Sequence, residues 1–146
     1  MELDHLWRKV RELLTSQRLA VLCSDLAGTP YCNLVAFAAT ADLKTILFAT
    51  TRASRKYRNL QKNSAVSLLI DNRSNDPADF HRAVAITVMG GADLNAPAEE
   101  SLKTLFLEKH PHLEPFLASP TVSLIMIPVD SYILVERFQD VKILKP

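Results

Sequence analysis

The sequence predicts a mostly β protein with peripheral helices, a six- to seven-stranded antiparallel sheet closed or split into a small barrel. Three observations lead there. Six or seven short runs have strand composition, several of them too apolar to leave one face wet, and short helical segments separate them. The first three runs are joined by turns rather than helices, which gives an antiparallel meander and disfavours a doubly wound parallel sheet. Gly90-Gly91 lies inside the fifth run, where a bulge or sharp bend lets a barrel turn its corner.

Leu3, Leu6, Trp7, Val10, Leu13 and Leu14 recur at helical spacing among charged residues, so the chain opens with an amphipathic helix. Leu19 to Cys23 reads as a buried strand and Asp25 to Gly28 as the turn after it. Tyr31 to Ala39 and Thr45 to Thr50 are the second and third strands, and a helix begins at Ala53 or Ser54. Ala65 to Ile70 is the fourth strand, Asp71 to Phe80 a long polar loop, and Val84 to Ala92 the fifth strand. Asn95 or Ala96 then caps a helix with Pro97 at its first position and Glu99 and Glu100 in its first turn. Pro111, Pro115 and Pro120 break up the next stretch, before final strands at Val122–Ile127 and Ser131–Phe138.

With 146 residues the chain is read as one domain over 1–146. A hydrophobic share of 48% against 23% charged residues argues for a packed core and against disorder. The longest apolar runs are too short to span a bilayer and no signal peptide is visible, so a cytoplasmic protein without a membrane partner is expected. Cys23 and Cys32 match no zinc or redox spacing and read as free, buried thiols on neighbouring strands. His110 and His112, among prolines and far from any thiol or carboxylate cluster, read as a surface turn, and no metal site is expected.

The most informative segment runs from Phe48 to Leu60. A strand ends in Thr50 and Thr51, and the helix that follows carries Arg55 and Lys56 in its first turn. Helix N-termini offer unpaired N–H groups and partial positive charge, and therefore bind phosphate. Acids are normally preferred there, so two cations point to an anion site. Ser54 adds a hydroxyl and Arg55 a planar fork suited to phosphate oxygens. Between Asp42 and Asp71 lie six bases (Lys44, Arg52, Arg55, Lys56, Arg58, Lys62) and no acid, leaving 11 bases against 16 acids elsewhere. That concentrated field steers a small anion. Nucleic acid is disfavoured as a partner because only Tyr57 is interleaved with the bases and the total charge is +1.

In this order of elements the chain resembles the pyridoxamine 5′-phosphate oxidase-like family, the flavin-binding split β-barrels. The likeness rests on Phe48-Ala-Thr-Thr-Arg-Ala-Ser-Arg-Lys56, Asn59-Leu60, Asn63-Ser-Ala-Val66 and Val88-Met-Gly90-Gly-Ala92. The resemblance implies an FMN-binding homodimer with the flavin in a cleft between subunits. It places the FMN phosphate on Ser54, Arg55 and Lys56, and sets Ala49, Thr50 and Thr51 beside the flavin or its ribityl chain. Asn33, Leu34 and Val35 would then meet the isoalloxazine ring. The chain also departs from the oxidase pattern. An Arg and a Lys of the second strand fall on Asn33 and Ala38, and a flavin-contacting Gln of the fifth falls on Ala85. FMN binding survives these losses better than oxidation of a doubly charged pyridoxal phosphate does. The function expected is therefore that of a flavoprotein acting on a different small molecule. Its catalytic residues are not identifiable, and relatives that bind deazaflavin or haem supply the alternative cofactors. A non-enzymatic module using the basic helix is the remaining reading.

Overall fold

The computed structural model describes residues 2–146. Helix α1 (Glu2–Ser16) buries Val10, Leu13 and Leu14, and Trp7 stands edge-on to Tyr132 at 5.9 Å. Strands β1 (Leu19–Leu26) and β2 (Thr29–Ala39) form a hairpin. Its turn is only Ala27-Gly28, both at positive φ (52° and 85°), and the Asp25 carboxylate accepts the Gly28 N–H at 2.8 Å. Two successive left-handed residues match the twist of the flanking strands, so both strands run closer to the turn than composition indicated.

Strand β3 (Thr45–Thr51), helix α2 (Arg55–Lys62), strand β4 (Ala65–Asp71), the short helix α3 (Asp79–Arg82) and strand β5 (Val84–Gly91) follow. The sheet order is β3-β2-β1-β4-β5, continued by β6 (Val122–Glu136) and β7 (Asp140–Leu144). Strand β6 pairs along its first half with β3 and along its second half with β5, which closes six antiparallel strands into a ring with β7 outside. The interior holds Leu22, Phe37, Phe48, Ile70, Ile86 and Tyr132, all fully buried.

Five local readings need correction. The two final strands expected on either side of Pro128 are one 15-residue strand, β6. Pro128 is tolerated because it sits where the strand changes neighbour, opposite Thr45 on β3, with Val129 opposite Gly90 on β5. A Cβ at Gly90 would lie 2.5 Å from the Pro128 carbonyl oxygen, so the bulge between Met89 and Gly90 needs glycine. Strand β7 went unread because Val141 and Ile143 face outward and mimic no buried pattern.

The helix expected from Asn95 or Ala96 starts later, as α4 (Glu100–Lys109). The Asp93 carboxylate captures the N–H groups of Asn95 and Ala96 and holds that stretch in a turn. A short 3-10 turn and helix α5 (Glu114–Ala118) follow. Helices α4 and α5 cover the outer face of the ring over a second core of Ala38, Leu47, Phe106, Leu124 and Met126.

His110 is not on a surface turn. It is 1% exposed and its Nε2 lies 2.7 Å from the Phe37 carbonyl oxygen, whereas His112 is exposed. Burial lowers the pKa of His110, so the neutral ring donates Nε2–H to that carbonyl. The cysteines are free, but Cys32 is exposed and Cys23 only half-buried, because both point to the outer face.

Candidate functional site

The ring is not zipped evenly. Strand β3 pairs with β6 at seven successive positions, Thr45 to Thr51, but with β2 at only three, Phe37↔Phe48, Ala38↔Leu47 and Ala39↔Ile46. Continued zipping would set Val35 against Thr50 and Leu34 against Thr51. Instead the strands part, with Asn33, Leu34 and Val35 on one side of the split and Ala49, Thr50 and Thr51 on the other.

Antiparallel ladders alternate the direction of their backbone groups, so the register fixes which residues aim at the opening. Phe37 N–H bonds back to the Arg18 carbonyl, toward β1, and Thr40 N–H bonds the Thr45 carbonyl, toward β3. By that alternation Leu34 and Ala36 turn their backbone groups to the split from β2, as Ala49 and Thr51 do from β3. Asn33 and Val35 bond β1 instead and project side chains to the inner face. Ala36 is a lip residue that the sequence reading passed over. It becomes visible only when the register is known.

At the end of the split sits the start of α2. Ser54 is its N-cap, with the hydroxyl accepting the Tyr57 N–H at 3.2 Å and sharing a hydrogen bond of 2.9 Å with buried Thr50. Thr50 thus serves the site by holding the cap. None of the bonds around the cap uses the N–H of Arg55 or Lys56, and no acid occupies the first turn. Asn59 donates to the Ser24 hydroxyl at 3.1 Å in a buried contact that fastens α2 to β1.

The six bases of this segment divide by role. Arg52 reaches Ser123 Oγ (3.0 Å) and the Pro120 carbonyl (2.5 Å), and Arg58 donates to the Ala53 carbonyl at 2.7 Å, so both brace the fold. Arg55 lies over the ring of Tyr31, 4.5 Å from its centroid. Partial burial lowers the pKa of Lys56. Among the described residues neither Arg55 nor Lys56 has a carboxylate partner. Tyr31 was missed because its place beside α2 depends on the hairpin register. Nearby, Asn33 Oδ1 is buried and accepts no hydrogen bond from the described residues. A partly desolvated cation and two helix N–H groups without a partner among the described residues, with an orphaned acceptor on β2, fit a polar ligand that carries both an anion and hydrogen-bond donors.

A cavity of about 590 Å³ lies elsewhere. Leu69, Ala85 and Val135 form its floor, the tilted rings of Phe80 and Phe138 (5.1 Å apart) its wall, and Arg73 part of its rim. Asp79 gathers the N–H groups of Ser74, Asn75 and Asp76, bonds that hold its carboxyl below the usual range and shape the loop. Since Val21 pairs with Leu69 and Cys23 with Ser67, this cavity lies toward the Leu19 end of β1, while α2 fastens at Ser24. The two features are at opposite ends of one strand.

The sequence profile described as pyridoxamine 5′-phosphate oxidase matches residues 6–127, which takes in the ring, the split and α2. The chain belongs to that family. No curated protein sequence matches it. Solved structures agree on the split-barrel fold. A heme binding protein from Mycobacterium smegmatis superposes with a TM-score of 0.81 at 15% identity, over 94% of this chain and 56% of that one. A protein related to general stress protein 26, of the pyridoxinephosphate oxidase family, from Clostridium acetobutylicum gives 0.74 at 14%, over 97% and 95%. An FAD-binding protein from Mesorhizobium loti gives 0.67 at 15%, over 86% and 89%. Among family positions, Ala38 lies sealed under α4 and Ala85 on the cavity floor, so neither offers a cation or an amide to a ligand. No described helix is long and apolar enough to cross a membrane.

Proposed function

We propose that this chain is an FMN-binding oxidoreductase of a small molecule, working in the cytoplasm as a homodimer with the flavin between subunits. The observation that carries the reading is the split itself, two strand lips that stop pairing with each other beyond Phe37↔Phe48 and end at the acid-free N-terminus of α2. Arg55, Lys56 and the adjoining N–H groups would hold the phosphate. Leu34, Ala36 and Ala49 would offer backbone groups to the ring edge, with the Thr51 N–H beside them, and Asn33 Oδ1 would gain a donor. Bound FMN supplies electron transfer to or from an organic substrate. The chain's own part is to bind, orient and exclude water, and to set N–H groups where negative charge gathers. That role needs no acid–base constellation.

The homodimer is supported by two further observations. The register aligns Leu34, Val21, Leu69, Thr87, Ile133 and Ile143 in one row across the outer face, with Leu34 and Ile143 each 66% exposed. The cavity and the cationic lip also stand toward opposite ends of β1 on one protomer. A second copy against this face would bring one protomer's cavity to the other's split, and the loop from Asp71 to Phe80 would then set the substrate. The fold is also shared with a heme binding protein, which keeps haem as the second reading. Extraction and mass measurement of the chromophore from purified protein decides between them. FMN at one per chain is expected, and haem or no chromophore after reconstitution with FMN would overturn the proposal.

A further inference from the structure

The two cysteines face each other across the β1–β2 hairpin. Cys23 is the register mate of Cys32, and their sulfur atoms are 3.3 Å apart. Which kind of pair they form can be worked out from the turn. The Leu26↔Thr29 pair closes a two-residue hairpin and exchanges hydrogen bonds, so pairs alternate from there, and Asp25↔Pro30 is non-bonded. Pro30 has no N–H to give, which agrees. Two steps on, Cys23↔Cys32 is again non-bonded, and the Phe37 N–H to Arg18 carbonyl bond farther along keeps the same phase. In non-bonded pairs the Cα atoms are about 4.5 Å apart, inside the range of roughly 4.4–6.8 Å that a disulfide spans. A small rotation of each side chain, without backbone movement, joins the sulfurs.

We infer that Cys23 and Cys32 are a redox-active dithiol that hydroperoxides convert to an intramolecular cross-strand disulfide. Cys32 is exposed and reacts first, while Cys23 is half-buried behind it. Burial raises the pKa of Cys23 and keeps it a thiol until its neighbour is oxidised. The Cys32 thiolate attacks one peroxide oxygen, so an S–O bond forms and the O–O bond breaks, leaving a sulfenic acid and, once the thiol proton is counted, one water. The Cys23 sulfur then attacks Cys32 Sγ. An S–S bond forms, the S–O bond breaks, and hydroxide leaves with the Cys23 proton as a second water. Two thiols have lost two protons and two electrons, and one hydrogen peroxide has become two waters. Thiol–disulfide exchange with a small dithiol restores the starting state. Cys32 is next to Asn33 on β2, so the bridge pins one lip of the split to β1.

The inference does not rest on the proposed cofactor. Dilute full-length protein, fully reduced, is treated with hydrogen peroxide, and free thiols are counted by alkylation and mass spectrometry. Both thiols should disappear together with loss of two hydrogen atoms per chain. A peptide joining the Cys23 and Cys32 segments should appear, and non-reducing gels should show no cross-linked dimer. The Cys23→Ser variant should accumulate a sulfenic acid on Cys32 that a dimedone-type probe traps, at least tenfold more than Cys32→Ser accumulates on Cys23. Two thiols that persist, a bridge that forms only between chains, or over-oxidation of Cys32 without bridging would each overturn it. All three are read on the unmodified chain, whether or not a variant folds.

Discussion

The two edges of β3 are bordered by very different seams. Toward β6 the ladder runs unbroken over seven pairs, while toward β2 it stops after three. Both edges belong to one strand, so β-propensity cannot account for the difference. The closed seam is held by β6, a single long strand that serves two ladders through the Pro128 switch and the Gly90 bulge. The open seam ends where α2 begins, with Thr50 and Ser54 locked together and Asn59 fastened to Ser24. The comparison teaches that the ring concentrates its stability on one side of β3 and leaves polar backbone unpaired on the other. Unpaired backbone is unfavourable unless water or a ligand satisfies it, and that is why the proposed ligand is assigned to the open side.

The strongest way to break this comparison is to remove the cations of the open seam. Arg55→Ala with Lys56→Ala should weaken FMN binding by about 3–6 kcal/mol, taking ~1.5–3 kcal/mol for each charged hydrogen bond. The melting temperature of the ligand-free protein should fall by no more than about 2–4 °C, the loss of the Arg55–Tyr31 contact, because neither side chain has a carboxylate partner among the described residues. Fluorescence quenching of FMN measures the first and calorimetry the second. Equal affinity in the double variant would move the anion site away from α2.

The closed seam makes the opposite prediction. Gly90→Val places a side chain against the Pro128 carbonyl, and should lower stability by roughly 1–3 kcal/mol as strain at the strand switch. Urea denaturation measures it. FMN affinity of the fraction that stays folded should remain unchanged. A variant as stable as the parent would show that β6 does not depend on this close approach.

The strands that carry this asymmetry were legible in the sequence, but the asymmetry itself was not. Strand composition and turn residues located six strands, and the acid-free start of α2 singled out the proposed anion site because a local rule was inverted there. Ser54 could be read as a hydroxyl at a helix start, and it is the cap. What escaped were features fixed by register. Tyr31 beneath Arg55, Ala36 on the lip and the meeting of Cys23 with Cys32 all depend on where a two-residue turn falls, and composition placed that turn too broadly. His110 escaped for a related reason. Flanking prolines signal a surface, but the partner that buries it, the Phe37 carbonyl, is far away in sequence. The gap left between Val122–Ile127 and Ser131–Phe138 is a change of neighbour at Pro128 within one strand, which composition does not show.

The smallest effect concerns the point where the split begins. Phe37 is the rung at which β2 and β3 part, and Lys109 and His110 clamp it from α4. Lys109 Nζ lies 3.8 Å from the centroid of the Phe37 ring and donates to the Leu14 carbonyl at 2.7 Å. Burial lowers its pKa from 10.5 to about 8. Between those values the unfolded chain still holds a proton that the folded chain has released, so stability should rise with pH across that window. Tyr132 acts in the other direction. Burial raises its pKa, so the unfolded chain ionises first above pH 10 and stability falls there. Lys109→Met keeps the contact with Phe37 and removes the titration, so the wild type minus variant difference isolates the lysine. The difference in melting temperature should grow in favour of the wild type by roughly 2–4 °C between pH 8 and 10, the screened remainder of a partly exposed group. A flat difference would mean that the ammonium is solvated in the folded chain, and that the clamp on Phe37 is made by His110 alone.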